Sequence, residues 1–107
     1  MPASPKRQAI QDPVKLDPSD YKVEIENDQV RALRIHYGSG EKSVMHSHPD
    51  GVAVFQSDAH CRFTFPDGKT EEQRFRAGET LFMPAGSHLP ENLGDQSLDV
   101  ILIELKS

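Results

Sequence analysis

The sequence predicts an all-β domain, and three observations carry that prediction. From Tyr21 onward apolar and polar residues alternate with period two, the pattern of half-buried strands. Turn-forming residues interrupt the alternation at intervals of roughly 8–12 residues, the spacing of short strands in a sandwich or barrel. No segment carries the apolar periodicity of an amphipathic helix, and no internal repeat is present.

The elements follow in order. Residues 1–20 hold four of the eight prolines (Pro2, Pro5, Pro13 and Pro18) and few large apolar side chains. They read as an extended, partly mobile N-terminal arm with a turn at Asp17-Pro18-Ser19-Asp20, docked through Val14 and Leu16. The barrel proper is expected over residues 21–107. Val23 and Ile25 alternate with Lys22, Glu24 and Glu26 before Asn27-Asp28 turns the chain. Leu33, Ile35 and Tyr37 alternate with Arg34 and His36 up to Gly38-Ser39-Gly40. Val52–Phe55 is an apolar run too short and too β-branched for a helix. Phe63 and Phe65 lead into the hairpin signal Pro66-Asp67-Gly68-Lys69, and Phe75 lies on the returning strand. Ala77-Gly78 turns into Thr80–Met83, which ends at Pro84-Ala85-Gly86. In the last strand, Leu98–Leu105, the unbroken Val100-Ile101-Leu102-Ile103 calls for cover on both faces, from the core and from a partner subunit.

Composition narrows the function. At 107 residues the chain makes one domain. A formal charge of −5 argues against nucleic acid or an anionic membrane as the main partner, since both need a basic surface. Cys61 is the single cysteine, so no intramolecular disulfide forms. No apolar run reaches the length of a membrane span or of a secretory leader, so the expected setting is cytoplasmic.

The chemistry concentrates in histidines. His46 and His48 are separated by one residue, so on a strand both imidazoles project from the same face. His88 follows the turn Pro84-Ala85-Gly86 and is the candidate for a third donor. Imidazole is the commonest protein ligand for zinc, iron, nickel and copper.

At these residues the chain resembles the cupins, small double-stranded β-helices of the jelly-roll type. Gly40, His46 and His48 match the family's first motif, and Gly78, Pro84, Gly86, His88 and Asn92 match its second, with the gap before the histidine one residue shorter. The motifs span Gly40 to Asn92, and the flanking alternation extends the likeness to about residues 21–105. The resemblance implies a barrel whose interior holds a divalent transition metal (Fe, Zn, Ni or Mn) on His46, His48 and His88. One departure stands out. Val52 or Ala53 occupies the place of the family's glutamate ligand, and neither can bind a metal. The implied site is a three-histidine variant with open positions, of the kind found in cupin dioxygenases, and its residual positive charge favours anionic or enolate-forming substrates.

The other residues read more plainly. His36 falls on the outward strand face. His60, near the strand of the missing glutamate, reads as a turn or rim residue. Cys61 is expected to be an apolar filler, and Asn92 a turn or supporting hydrogen-bonding residue. Phe55, Phe63, Phe65, Phe75 and Phe82 are expected in the core, with Phe55 or Phe82 at a pocket mouth. No catalytic base or nucleophile stands out. The expected function is a metal-dependent enzyme, dioxygenase-like or next an isomerase, acting on a small organic molecule. The alternative is a non-catalytic cupin that binds or senses a small ligand or metal. In either case a homodimer is expected.

Overall fold

The computed structural model describes residues 12–106. Nine strands follow one short helix. They are β1 (Tyr21–Glu26), β2 (Val30–Tyr37), β3 (His46–His48), β4 (Gly51–Phe55), β5 (Ala59–Thr64), β6 (Thr70–Phe75), β7 (Thr80–Met83), β8 (Gly86–Asn92) and β9 (Leu98–Leu105). They form a five-stranded sheet in the order β1-β2-β9-β4-β7 and a four-stranded sheet in the order β3-β8-β5-β6. Every pairing is antiparallel. This is the all-β, double-stranded β-helix architecture expected from the alternation.

The core fills the space between the sheets. Leu33, Ile35 and Tyr37 from β2 meet Leu98, Val100 and Leu102 from β9 and Ala53 and Phe55 from β4, all buried. The period-two pattern is explicit in β9, where Leu98, Val100, Leu102 and Glu104 are buried and the alternate residues are more exposed. Gly51 permits the close approach of β4 to β9: a Cβ there would lie 2.8 Å from the Ile103 carbonyl oxygen. Gly68, with φ of 89°, closes the β5–β6 hairpin in a conformation few other residues adopt.

The chain before β1 departs from the extended arm of the sequence reading. Pro13–Leu16 make one helical turn, α1, because Pro13 is preorganised for a first helical position and the Asp12 carboxylate caps the Val14 N–H at 3.0 Å. The turn expected at residues 17–20 is present. Pro13 is buried, Val14 packs against the core, and Leu16 is exposed. A buried ion network ties this segment down: Arg31 pairs with Glu104 at 2.8 Å and with Asp12 at 3.1 Å. The rest of the expected arm, residues 1–11, lies outside the described residues.

Two further differences concern aromatic and turn residues. Phe82 is 55% exposed on the outer face of the five-stranded sheet rather than in the core. Ala59 and His60 belong to β5 rather than to a turn.

Candidate metal centre

The three histidines meet across one strand pair. His46 on β3 is directly opposite His88 on β8, with Ser47 opposite Ser87 and His48 opposite Gly86. The Ser47 and Ser87 hydroxyls hydrogen-bond at 2.7 Å and hold this register on the outer face. Alternation then turns His46, His48 and His88 inward, and all three are buried.

The rings pack on one another. His46 and His88 stand edge to face with centroids 4.9 Å apart, and His48 and His88 are 4.7 Å apart. Phe63 stacks on His88, and Tyr21 meets His46 edge-on. Two imidazoles sharing one metal at about 2.1 Å have centroids roughly 5 Å apart, so the ring spacing suits shared ligation. Backbone carbonyls set the donors. His46 Nδ1–H donates to Val44 O at 2.9 Å, and His48 Nδ1–H to Pro49 O at 2.9 Å. In both rings this leaves Nε2 as the unprotonated donor, the arrangement that orients metal-bound imidazoles. Burial pushes His46 down to about 4 and His88 down to about 3, so both rings are neutral near pH 7. The donor set therefore suits a divalent transition metal. The rings do not already form a closed centre: among the described residues, no group of three or more His, Cys, Asp or Glu side chains is arranged to hold a metal ion.

His46 and His88, with Tyr21 and Tyr37, line a cavity of about 50 Å³. The rest of its wall is apolar, including Ile35, Ala53, Phe55, Phe63, Met83, Val100 and Leu102. Of Val52 and Ala53, the two residues considered for the place of the glutamate, one faces the cavity. Ala53 faces inward onto the cavity, whereas Val52 lies on the opposite strand face, in register with Ile103 and Phe82. Among the described residues, no lysine or arginine lines the cavity.

The remaining histidines and the cysteine take other places. His36 is exposed and pairs with Asp99 at 2.8 Å. His60 Nε2 lies 3.1 Å from Glu72, on a surface groove away from the cavity wall. Cys61 lines the cavity, and burial pushes its thiol up to about 11, so it stays protonated. Asn92 is a structural hub. Its amide donates to the carbonyls of Tyr37, Gly38 and Gln96 and accepts from Gly94 N–H.

The sequence reading missed the polar chain behind Tyr21. Tyr21 and Tyr37 share a hydroxyl–hydroxyl hydrogen bond, and Ser43 joins Tyr21 to Asp17. Beside it the buried Asp20 carboxyl lies within hydrogen-bonding reach of Glu41 and Asp17. Asp17 and Asp20 come from the segment before β1, Glu41 and Ser43 from the loop between β2 and β3, and the two tyrosines from strand ends, and no local motif announces them.

Solved structures share this architecture. A cupin domain from Bordetella pertussis superposes with a TM-score of 0.76 at 24% identity, covering 81% of this chain and 92% of that one. A protein from Bacillus halodurans gives 0.66 at 17% identity, covering 92% and 78%. An RmlC-like cupin family protein with a double-stranded β-helix fold, from Methanocaldococcus jannaschii, gives 0.63 at 16%, covering 84% of each. No family model matches the sequence. No curated protein matches it either. The two interlocking sheets, the inward histidines of β3 and β8, and these superpositions together identify the fold: the chain folds as a small single-domain cupin.

Proposed function

We propose that this cupin binds one divalent transition metal through His46, His48 and His88 and is a metal-dependent, dioxygenase-like enzyme for a small organic molecule. One observation carries the reading: three buried imidazoles from two paired strands pack together, two of them (His46 and His88) lining one cavity, with the Nδ1 of His46 and His48 committed to backbone carbonyls. A metal held by His46, His48 and His88 would supply Lewis-acid and oxygen chemistry there. The protein's own part is to keep His46 and His88 neutral by burial, to fix the ring tautomers, and to exclude water with apolar walls. Because Ala53 stands at the glutamate's place, the centre carries no carboxylate.

The lining refines the substrate. The expected preference for anionic substrates rests on the charge of the metal; among the described residues the cavity wall adds no side-chain cation, so the part of a substrate that meets this wall is apolar and slender. The low cavity volume and the lack of an ionised base in its wall favour a second reading, a non-catalytic cupin that holds a metal or small ligand. Oxygen uptake separates the two. The enzyme reading predicts that iron-loaded protein consumes O₂ with members of a panel of small organic substrates, and that His88→Ala abolishes the uptake. Tightly held zinc with no turnover on the panel would establish the second reading instead.

The buried single thiol supports a reducing, cytoplasmic setting. Among the described residues, no helix is long and apolar enough to cross a membrane. The exposed apolar stripe on the five-stranded sheet supports a homodimer.

A further inference from the structure

The cavity and the large surface groove adjoin along β5 and β8. Going down β5, Ala59 lines the groove and Cys61, two residues on and on the same strand face, lines the cavity. Going back along β8, Asn92 lines the groove, whereas Pro90 and His88 line the cavity. Between the two spaces stands one aromatic pair. Phe75, on the groove, stacks on Phe55, on the cavity, with centroids 4.0 Å apart and planes 12° from parallel.

The groove has a volume of about 650 Å³ and carries Arg74 and Arg76 at its rim. Arg31, Arg34 and Arg62 are each committed to carboxylates. Among the described residues, Arg74 and Arg76 have no salt-bridge partner, although the protein carries a net charge of −5. Two acidic residues also line the groove. One Asp58 oxygen accepts from Ala77 N–H, and Asp95 lies on the loop across from β6. The cations of the groove complement the cavity, which has none.

The geometry points to a single ligand channel: the groove is the mouth of the histidine-lined cavity, Phe75 is its door and length gauge, and the ligand is a short organic carboxylate. Its anionic end rests on Arg74 and Arg76, and its apolar end passes Phe75 toward His88. Guanidinium groups hold carboxylates through paired N–H···O bonds, which the cavity interior cannot supply. This rests on the cavity as the ligand chamber of the function proposed above and not on the metal.

The test uses butyrate and 1-butanol as probes, with NMR shifts of the Val100 and Leu102 methyl groups reporting arrival in the cavity. It is run on protein as purified and again after chelation. Butyrate is expected to shift these methyls in both samples. Replacing both arginines (Arg74→Ala with Arg76→Ala) is expected to weaken butyrate about tenfold and to leave butanol unchanged. Phe75→Ala is expected to admit octanoate, which the native protein excludes; Phe75→Leu gives the same test with a smaller loss of packing. The proposal is overturned if butyrate shifts only outer residues, or if chelation abolishes its binding. It is also overturned if the arginine changes weaken both probes equally, or if octanoate reaches the same methyls with Phe75 intact. Metal-free native protein, or full metal occupancy in His46→Ala, with butyrate binding retained would sink the metal reading and leave the channel standing.

Discussion

At the scale of single residues the structure separates chemistry from support. Asn92 matches a motif position but ligates nothing; its amide gathers three carbonyls and one N–H from two turns. Asn92→Ala strands these buried groups and should cost about 2 kcal/mol or more, measured by urea unfolding, with the strand content intact. Asp20 sets a pH dependence. Burial, then the neighbouring Glu41 and Asp17 carboxyls, pushes it up to about 7, with His36 the nearby titratable base on β2. Its raised value means the folded state holds the proton more tightly than the unfolded chain. Its contribution is therefore fully present at low pH and is lost as pH rises from about 4 to 7. Asp20→Asn should flatten that part of the stability–pH curve; an unchanged slope would contradict the assignment. Sequence alone could place His46, His48 and His88 together because strand parity and two spaced motifs sufficed. It could not find the Asp17–Asp20–Glu41 contact, which joins residues more than 20 positions apart through loops without periodicity.

At the scale of elements, legibility followed the strength of the local pattern. β2 alternates cleanly, and its inward residues Leu33, Ile35 and Tyr37 are the ones expected; β9, unbroken in sequence, turns Leu98, Val100, Leu102 and Glu104 inward. β8 was not legible as a strand because Gly86 and Pro90 mark breaks in most contexts. It tolerates Pro90 because β3 pairs with β8 only from Gly86 to His88. α1 was hidden for the opposite reason: four residues are too few for a helical period to appear. β4 carries the clearest elemental prediction. Ala53 is 1% exposed, and Ala53→Glu buries a carboxylate beside His46 and His88. Without metal this change should lower the melting temperature sharply, and added Zn²⁺ should recover much of the loss. A melting temperature indifferent to Zn²⁺ would argue against ligation at this wall.

At the scale of the whole molecule, the outer face of the five-stranded sheet carries an apolar row. Ile25, Ala32, Ile103, Val52 and Phe82 form one continuous row across all five strands. Its two ends, Ile25 at 59% and Phe82 at 55%, are the most exposed. A homodimer covering this row should sediment at twice the 12.0 kDa chain mass, and Ile25→Asp with Phe82→Asp should give a folded monomer. A native monomer at micromolar concentration would contradict this. The proposed function rests on the interior, where the inward imidazoles of β3 and β8 would hold the metal. Elemental analysis of untagged protein, purified without added metal, tests it most directly. The account predicts about one transition-metal equivalent per chain, lost in His46→Ala while the strand spectrum is unchanged. Metal-free native protein, or full occupancy in His46→Ala, would contradict it.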